Sequence, residues 1–385
     1  QARVFREKQS IDLRTGHRVL SIDRTAKTIS GRRESGEEFQ IDYDKLLIAT
    51  GASPIIPDLP GFDLPGVLTL KSLEHGRLIK AFIGGSQVRV AVIMGMGYIA
   101  MEMSEALRDL GIEVHMVKPR PDLLPWMHRD LTAMVQKELE ENGVNLYLGH
   151  ETKGVEQTTR GLKADFEGVG FNCQMVLVAI GVNPSSELAA DAGLELGPRR
   201  SISTYRTTQT SDTDIYAAGD CADAYHVVTG EKTWIPLALR ANRSGYAAAD
   251  NVTRIKTELP GVAGTAVFKL FDLQIARTGL TVKEAEEFGF EPEEVCIEGR
   301  TRAFAHPGVS SMGVQIVGDK KSGRLLGMQI VARDGAAHRI NAPAVALHTK
   351  MTVDEFSRTD MAYAPPFGPV WDPMLTAANQ LLKKL

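Results

Sequence analysis

Cysteine is scarce in this chain. It has three in 385 residues, Cys173, Cys221 and Cys296, none near enough to another to suggest a disulfide framework. That excludes a small disulfide-stapled module, and without a signal-peptide pattern the expectation is a reduced, cytoplasmic protein. Long apolar runs are also lacking: none approaches the ~20 residues that span a bilayer, so no membrane partner is expected. Nor is there an excess of one charge, since a net charge of −4 gives no electrostatic case for nucleic acid. Cys221, Asp223 and His226 are too loosely spaced for a metal site, and no metal is expected. There is no internal repeat. What is present, 43% apolar and 24% charged residues, suits ordinary globular cores, and the length suits two or three domains.

The chain is organised around residues 88–120. Val90-Ala91-Val92-Ile93-Met94 has the continuous apolar character of a parallel strand buried on both faces. Gly95-Met96-Gly97 follows, and then Ile99, Met103, Ala106, Leu107 and Leu110 fall on one helical face. Gly111 stops that helix and Ile112 to Val117 forms a second strand. The motif GMGYIA is the G-x-G-x-x-A form of a dinucleotide fingerprint. Gly95 allows the tight turn, Gly97 lets phosphates approach the backbone, and Ala100 keeps the helix close to its strand. The helix start offers free N–H groups and the positive dipole end to a pyrophosphate.

Before that unit, residues 1 to about 45 read as short strands and turns, with strands at 18–23 and 39–43. Leu46 to Ala49 is a buried strand ending in Thr50-Gly51-Ala52-Ser53-Pro54. Prolines 54, 57, 60 and 65 predict an extended connector, followed by a helix over 72–81 and a domain boundary at Gly84-Gly85. Beyond the central unit come a helix over 128–142, a strand over 144–148, a meander over 151–175 and an apolar strand over 175–180. Gly181 then sits at the carboxyl edge of a parallel sheet, where such sheets bind ligands, and is a candidate neighbour of the nicotinamide end. A strand over 215–218 runs into Gly219-Asp220-Cys221, and a helix spans 237–252. From 264 an α+β module is predicted, with strands at 265–271, 294–298, 312–317 and 324–331 and helices at 281–288, 336–350 and 375–384.

Four motifs occur in one order: ATG at 49–51, GMGYIAME at 95–102, IYAAGDCAD at 215–223 and AYAPPFGPVWDP at 362–373. On these the chain resembles the flavin-dependent pyridine nucleotide–disulfide oxidoreductases. The nearer likeness is to the subgroup of coenzyme A disulfide reductases, NADH oxidases, NADH peroxidases and persulfide reductases. The resemblance implies an α/β fold with two three-layer nucleotide-binding domains, for FAD and NAD(P), and a C-terminal α+β dimerisation domain. It implies an FAD domain split between 1–83 and 186–260, an NAD(P) domain at 84–185 and a dimerisation domain at 261–385. Asp220, beside Gly219, would accept hydrogen bonds from the flavin's ribityl hydroxyls. Thr50 and Gly51 would mark the crossing between domains. The helix around Ala241, starting near Asn242, would point its N-terminus at the flavin's pyrimidine edge. Tyr98 would be a lid over the nicotinamide pocket beside Ile99, Glu102 would orient the nicotinamide, and Tyr363 would reach a partner subunit's disulfide site.

The departures matter as much. Before residue 45 there is neither an FAD fingerprint nor a redox cysteine, so a segment carrying both is expected to precede Gln1. None of the three cysteines fits the redox role. His306 stands where the family has a tyrosine, which weakens a specific case for coenzyme A disulfide. Lys118 and Arg120 end the second strand, where an acidic residue would favour NADH. The implied activity is transfer of electrons from NAD(P)H through FAD to a cysteine centre that reduces a small disulfide or persulfide. An NADH oxidase or peroxidase acting on dioxygen or peroxide is the alternative within the enzyme class. A non-catalytic nucleotide-binding subunit is the alternative outside it. A homodimer is expected.

Overall fold

The computed structural model describes residues 2–385, without the side chains of residues 2, 3 and 6. The chain divides into two compact units. One comprises residues up to Ala52 with Pro184–Tyr225 and Glu231–Gly261, the other Ser53–Asn183 with His226–Gly230 and Val262–Leu385.

The first unit carries a three-stranded antiparallel meander, His17–Asp23, Thr28–Arg33 and Glu38–Asp42. It also carries a parallel pair, Leu46–Ile48 beside Ile215–Ala217. Ile22, Ile48, Ile202, Ile215 and Cys221 share its core. The sequence pattern misses both the middle strand of the meander and a first helix, Ala2–Gln9.

The second unit holds a five-stranded parallel sheet in the order Val67–Thr69, Met175–Val178, Val90–Met94, Glu113–Lys118, Val144–Leu148. Its central strands are buried on both faces: Ala91, Val92, Ile93 and Met175 to Leu177 are all 0% exposed. That explains their unbroken apolar runs. Residues 53–83, grouped from the sequence with the first domain, pack here instead, because Val67–Thr69 is hydrogen-bonded to Met175–Val178. Gly84 and Gly85 lie inside the helix Leu73–Ser86 rather than at a boundary, and Ser72 caps that helix by accepting from the His75 N–H at 3.2 Å. A meander, Thr152–Thr158, Gly161–Phe166 and Val169–Cys173, follows the parallel strand Val144–Leu148.

The C-terminal part of this unit is a five-stranded antiparallel sheet in the order Ala266–Leu270, Leu273–Gly279, Leu325–Ala332, Ser311–Asp319, Pro292–Arg300. The expected strand over 265–271 is in fact the first half of a tight hairpin. Its turn residue Phe271 has φ +48° and no glycine marks it, so the second strand was hidden. The expected helix over 336–350 is two, Ala336–Arg339 and Asn341–His348. Phe268, Leu270, Leu273, Ile275 and Val331 from this sheet join Ile93, Met101 and Leu107 in one apolar core.

Candidate functional site

Two groups of sequence-chosen residues assemble, each at the carboxyl end of parallel strands, one in each unit. In the second unit the strand Val90–Met94 delivers Gly95 at φ +102°, with its N–H donating to the Val117 carbonyl at 2.9 Å. A methyl group on Gly95 would lie 2.4 Å from the carbonyl oxygen of Ala179, so only glycine fits. Gly97 is different. It precedes the helix Tyr98–Asp109 as a cap without any side-chain hydrogen bond, and a Cβ there would meet nothing within 4 Å. The helix start is therefore open, with its first-turn N–H groups uncapped, and a pyrophosphate could approach it.

Gly181 follows the neighbouring strand at φ +130°, and its carbonyl accepts from the Ile55 N–H at 3.0 Å. Ala179, which crowds Gly95, donates its N–H to the Met94 carbonyl at 2.9 Å, so Gly95 and Gly181 flank one sheet edge. Ile99 lines a cavity of about 640 Å³ with Leu70, Lys71, Ser72, Leu73 and Arg77. Glu102 lies one turn beyond Tyr98. Burial of its charged form, reinforced by Glu105, raises its carboxyl above the usual carboxylate range. The Tyr98 ring packs 5.0 Å from Phe268 and 5.9 Å from Trp126, centre to centre, and burial raises its phenol. Tyr98 and Ile99 thus have separate environments, an aromatic cluster and a cavity wall.

Lys118 ends the second strand, but its Nζ donates to the carbonyls of Asp122 at 2.7 Å and Leu123 at 3.0 Å. It braces its own loop. Burial, then the charge of Arg120, lowers its ammonium pKa. Arg120 is the exposed cation of that loop.

In the first unit, strands Leu46–Ile48 and Ile215–Ala217 run side by side and deliver Thr50-Gly51 and Gly219-Asp220 to the same end. Thr50 Oγ1 donates to the Ser185 carbonyl at 2.5 Å, and the Ser185 N–H returns a bond to the Gly51 carbonyl at 2.9 Å. Gly51 (φ +73°) and Gly219 (φ +81°) both leave open space where a Cβ would stand. The Gly219 N–H donates to Ser244 Oγ at 3.0 Å, and Trp234 Nε1 donates to the Asp220 carbonyl at 2.8 Å.

Sequence reasoning missed the residue that holds this turn. Arg240, 7% exposed, donates through Nη1 to the Gly219 carbonyl at 2.6 Å and through Nη2 to the carbonyls of Ala222 (2.8 Å) and Asp223. Within a helical pattern an arginine reads as a solvated position, and only its burial shows otherwise. The helix itself spans Ala238–Val252 without a side-chain cap. This matches the span of 237–252 expected from the pattern, so the helix N-terminus lies a turn before Asn242, and the Ala241 N–H is already bonded to the Leu237 carbonyl at 3.0 Å.

Tyr363 joins neither group. It stands 48% exposed in the C-terminal module, in a stretch without helix or strand. That stretch is tied down by Arg339, which donates to the Phe367 carbonyl and to Asp372, each at 2.7 Å. Of the cysteines, Cys173 and Cys296 have thiols pushed up to about 12 by burial. Cys221 is buried and donates to the Ala218 carbonyl at 3.2 Å. Cys173 and Cys296 therefore lack the stabilised thiolate that thiol redox chemistry needs.

Two glycine-lined carboxyl edges, one with an uncapped helix start and one with a fixed carboxylate turn, define a protein built for two nucleotide cofactors. The pyridine nucleotide-disulphide oxidoreductase model matches residues 2–245 and the dimerisation domain of the same family matches 265–374, so the chain belongs to that family. It is similar to an NAD(P)H sulfur oxidoreductase (CoA-dependent) of Pyrococcus furiosus, at 36% identity over 98% of this chain and 85% of the relative. An NADH oxidase of Methanocaldococcus jannaschii is 32% identical over 99% of this chain and 85% of its own. Among solved structures, an NAD-dependent persulfide reductase from A. fulgidus superposes with a TM-score of 0.94 at 34% identity, covering 99% of this chain and 70% of that one. The chain is an oxidoreductase whose cofactors are FAD and NAD(P)H. The open faces at Gly97, Gly51 and Gly219 fit both groups.

Proposed function

We propose that the protein uses NAD(P)H to reduce a small sulfur–sulfur substrate, a disulfide or persulfide, at a cysteine centre other than Cys173, Cys221 and Cys296. What chiefly supports this reading is the 36% identity, across 98% of the chain, to a CoA-dependent sulfur oxidoreductase. FAD, when bound, would supply the two-electron chemistry that links NAD(P)H to the sulfur acceptor. The chain's own residues bind and position. Gly95 and Gly97 admit the dinucleotide's pyrophosphate to the helix start, with Gly181 and Ile99 beside the nicotinamide. Glu102, its carboxyl raised by burial, is suited to hydrogen-bond the carboxamide. A lid role for Tyr98 requires its ring to leave Phe268 and Trp126. Thr50, Gly51, Gly219 and Asp220 hold the flavin side, with Ala241 in the helix beneath. Arg120, rather than the braced Lys118, is the cation available to a 2′-phosphate.

In this reading residues up to 52 and 184–261 bind FAD, 53–183 bind NAD(P)H, and 262–385 form a homodimer with Tyr363 contributed across it. Phe367, Val370 and Trp371, 77%, 68% and 63% exposed, are suitable anchors for that interface. A cytoplasmic location fits thiol chemistry, and no helix among the described residues is long and apolar enough to cross a membrane. The 32% identity to an NADH oxidase supports a second reading, in which dioxygen is the acceptor. NAD(P)H consumption with coenzyme A disulfide, coenzyme A persulfide and dioxygen as competing acceptors separates the two. A kcat/KM for the sulfur acceptors below that for dioxygen would reject the first reading.

A further inference from the structure

A second cluster of donors lies in the unit that carries the parallel sheet. The helix Arg129–Glu141 begins at His128, and it packs on the C-terminal antiparallel sheet at Gly313, where a methyl would lie 2.4 Å from Leu131. That close approach sets His128 and Asp130 over the sheet. Below them Cys296, Gln315 and Gln329 form one row across three strands, since Cys296 pairs with Gln315 and Gln315 with Gln329. Directly opposed residues share a face, and so does Glu294, two positions before Cys296. Gln329 anchors the helix start: its Oε1 accepts from the His128 N–H at 2.9 Å and its Nε2 donates to the Trp126 carbonyl at 2.8 Å.

The donor atoms of His128, Asp130 and Cys296 all lie within 4.8 Å of one another. Glu294 lies at the edge of this group, with Oε1 3.9 Å from His128 Nε2. A further observation points to a ligand. Gln315, 2% exposed, gives its Nε2 to Glu294 Oε2 at 2.8 Å, yet the Oε1 of the same amide is buried without a partner. A buried amide oxygen left unpaired, on the side chain whose own Nε2 holds Glu294, is costly. A cation held beside it would stabilise that oxygen electrostatically.

We propose that His128, Asp130, Glu294 and Cys296 form a binding site for a divalent transition metal of the zinc class. Imidazole, thiolate and carboxylate together suit Zn²⁺ or Co²⁺, whereas Mg²⁺ and Ca²⁺ take oxygen donors alone. Ligand bonds of about 2.0–2.3 Å require these side chains to close in by rotamer adjustment, without moving the helix or the sheet. Binding displaces the Cys296 proton to solvent as the sulfur–metal bond forms, and nothing is oxidised or reduced. Coordination also replaces the 3.2 Å bond by which His128 Nδ1 caps the Asp130 N–H. The helix N-terminus disfavours a cation, an effect the anionic ligands outweigh. Four protein ligands leave no open position, so the metal would pin the dinucleotide-fold helix to the C-terminal sheet rather than meet substrate.

The test is Co²⁺ titration of the FAD-loaded full chain, read as a difference spectrum in the red, away from flavin absorption. The expected result is a saturable four-coordinate Co²⁺ spectrum with a sulfur-to-metal band, displaced by one equivalent of Zn²⁺ and weakened at least about tenfold in affinity by Cys296→Ser. A second measurement needs no variant: Zn²⁺ should slow labelling of Cys296 by a thiol reagent, with the labelled site located by mass spectrometry. Absence of a Co²⁺ spectrum, a spectrum unchanged in a folded Cys296→Ser, or Cys296 labelling indifferent to Zn²⁺ would each overturn the proposal.

Discussion

Gly95 and Gly97 stand two residues apart in one motif, yet their surroundings call for opposite outcomes on substitution. In Gly95→Ala the new methyl is placed at φ +102° and 2.4 Å from the carbonyl oxygen of Ala179, a residue held in place by its N–H bond to the Met94 carbonyl. An unfavourable backbone region costs about 1–3 kcal/mol, and overpacking about 1–3 kcal/mol more. The loss of stability should therefore be about 2–6 kcal/mol, with cofactor binding failing because the turn itself shifts. In Gly97→Ala the backbone is ordinary, at φ −86°, and the methyl meets nothing. Stability should change by less than about 1 kcal/mol, while the methyl stands where the phosphates must approach and raises the NAD(P)H KM at least about tenfold, or 1.4 kcal/mol. Urea unfolding and steady-state kinetics on both variants read the two effects separately. A Gly95→Ala protein as stable as the parent, or a Gly97→Ala protein with unchanged KM, would refute the assignment of one glycine to packing and the other to ligand approach.

Three further outcomes are expected. Arg240→Met removes three charged hydrogen bonds to the Gly219–Asp223 turn; at about 1.5 kcal/mol or more each, FAD retention on dialysis should fall at least tenfold, with Arg240→Lys partly restoring it. Burial lowers the His226 imidazole from 6.5 to about 4. Its contribution to stability is complete above the unfolded value and is lost as pH falls from 6.5 towards 4; the loss is on the order of 3 kcal/mol, and His226→Gln should flatten the urea midpoint across that window. Arg120→Glu should shift the NADPH/NADH kcat/KM ratio towards NADH by about tenfold, and a parent enzyme preferring NADH by that factor would remove the case for a 2′-phosphate contact.

The parallel sheet was legible because its strands are buried on both faces and cannot tolerate a polar residue, so Val90–Met94 and Met175–Val178 declare themselves as apolar runs. The glycine edges were legible because positive φ restricts residue choice, as at Gly95, Gly181 and Gly219. What escaped was decided by partners distant in sequence. The strand Leu273–Gly279 follows a turn with no glycine. Arg240 looks like a surface residue until its three carbonyl partners are seen, and Lys118 looks like a cofactor ligand until Asp122 and Leu123 engage it. The grouping of His128, Asp130 and Cys296 spans well over a hundred positions, which no spacing rule can detect.

The central claim, electron transfer from a pyridine nucleotide to a bound flavin, meets its most direct test in the visible spectrum of the native protein. Purified without oxygen, it should be yellow and lose that colour on addition of NAD(P)H, recovering it when a sulfur acceptor or dioxygen is admitted. A colourless protein, or a yellow one that NAD(P)H leaves unchanged, would contradict the account.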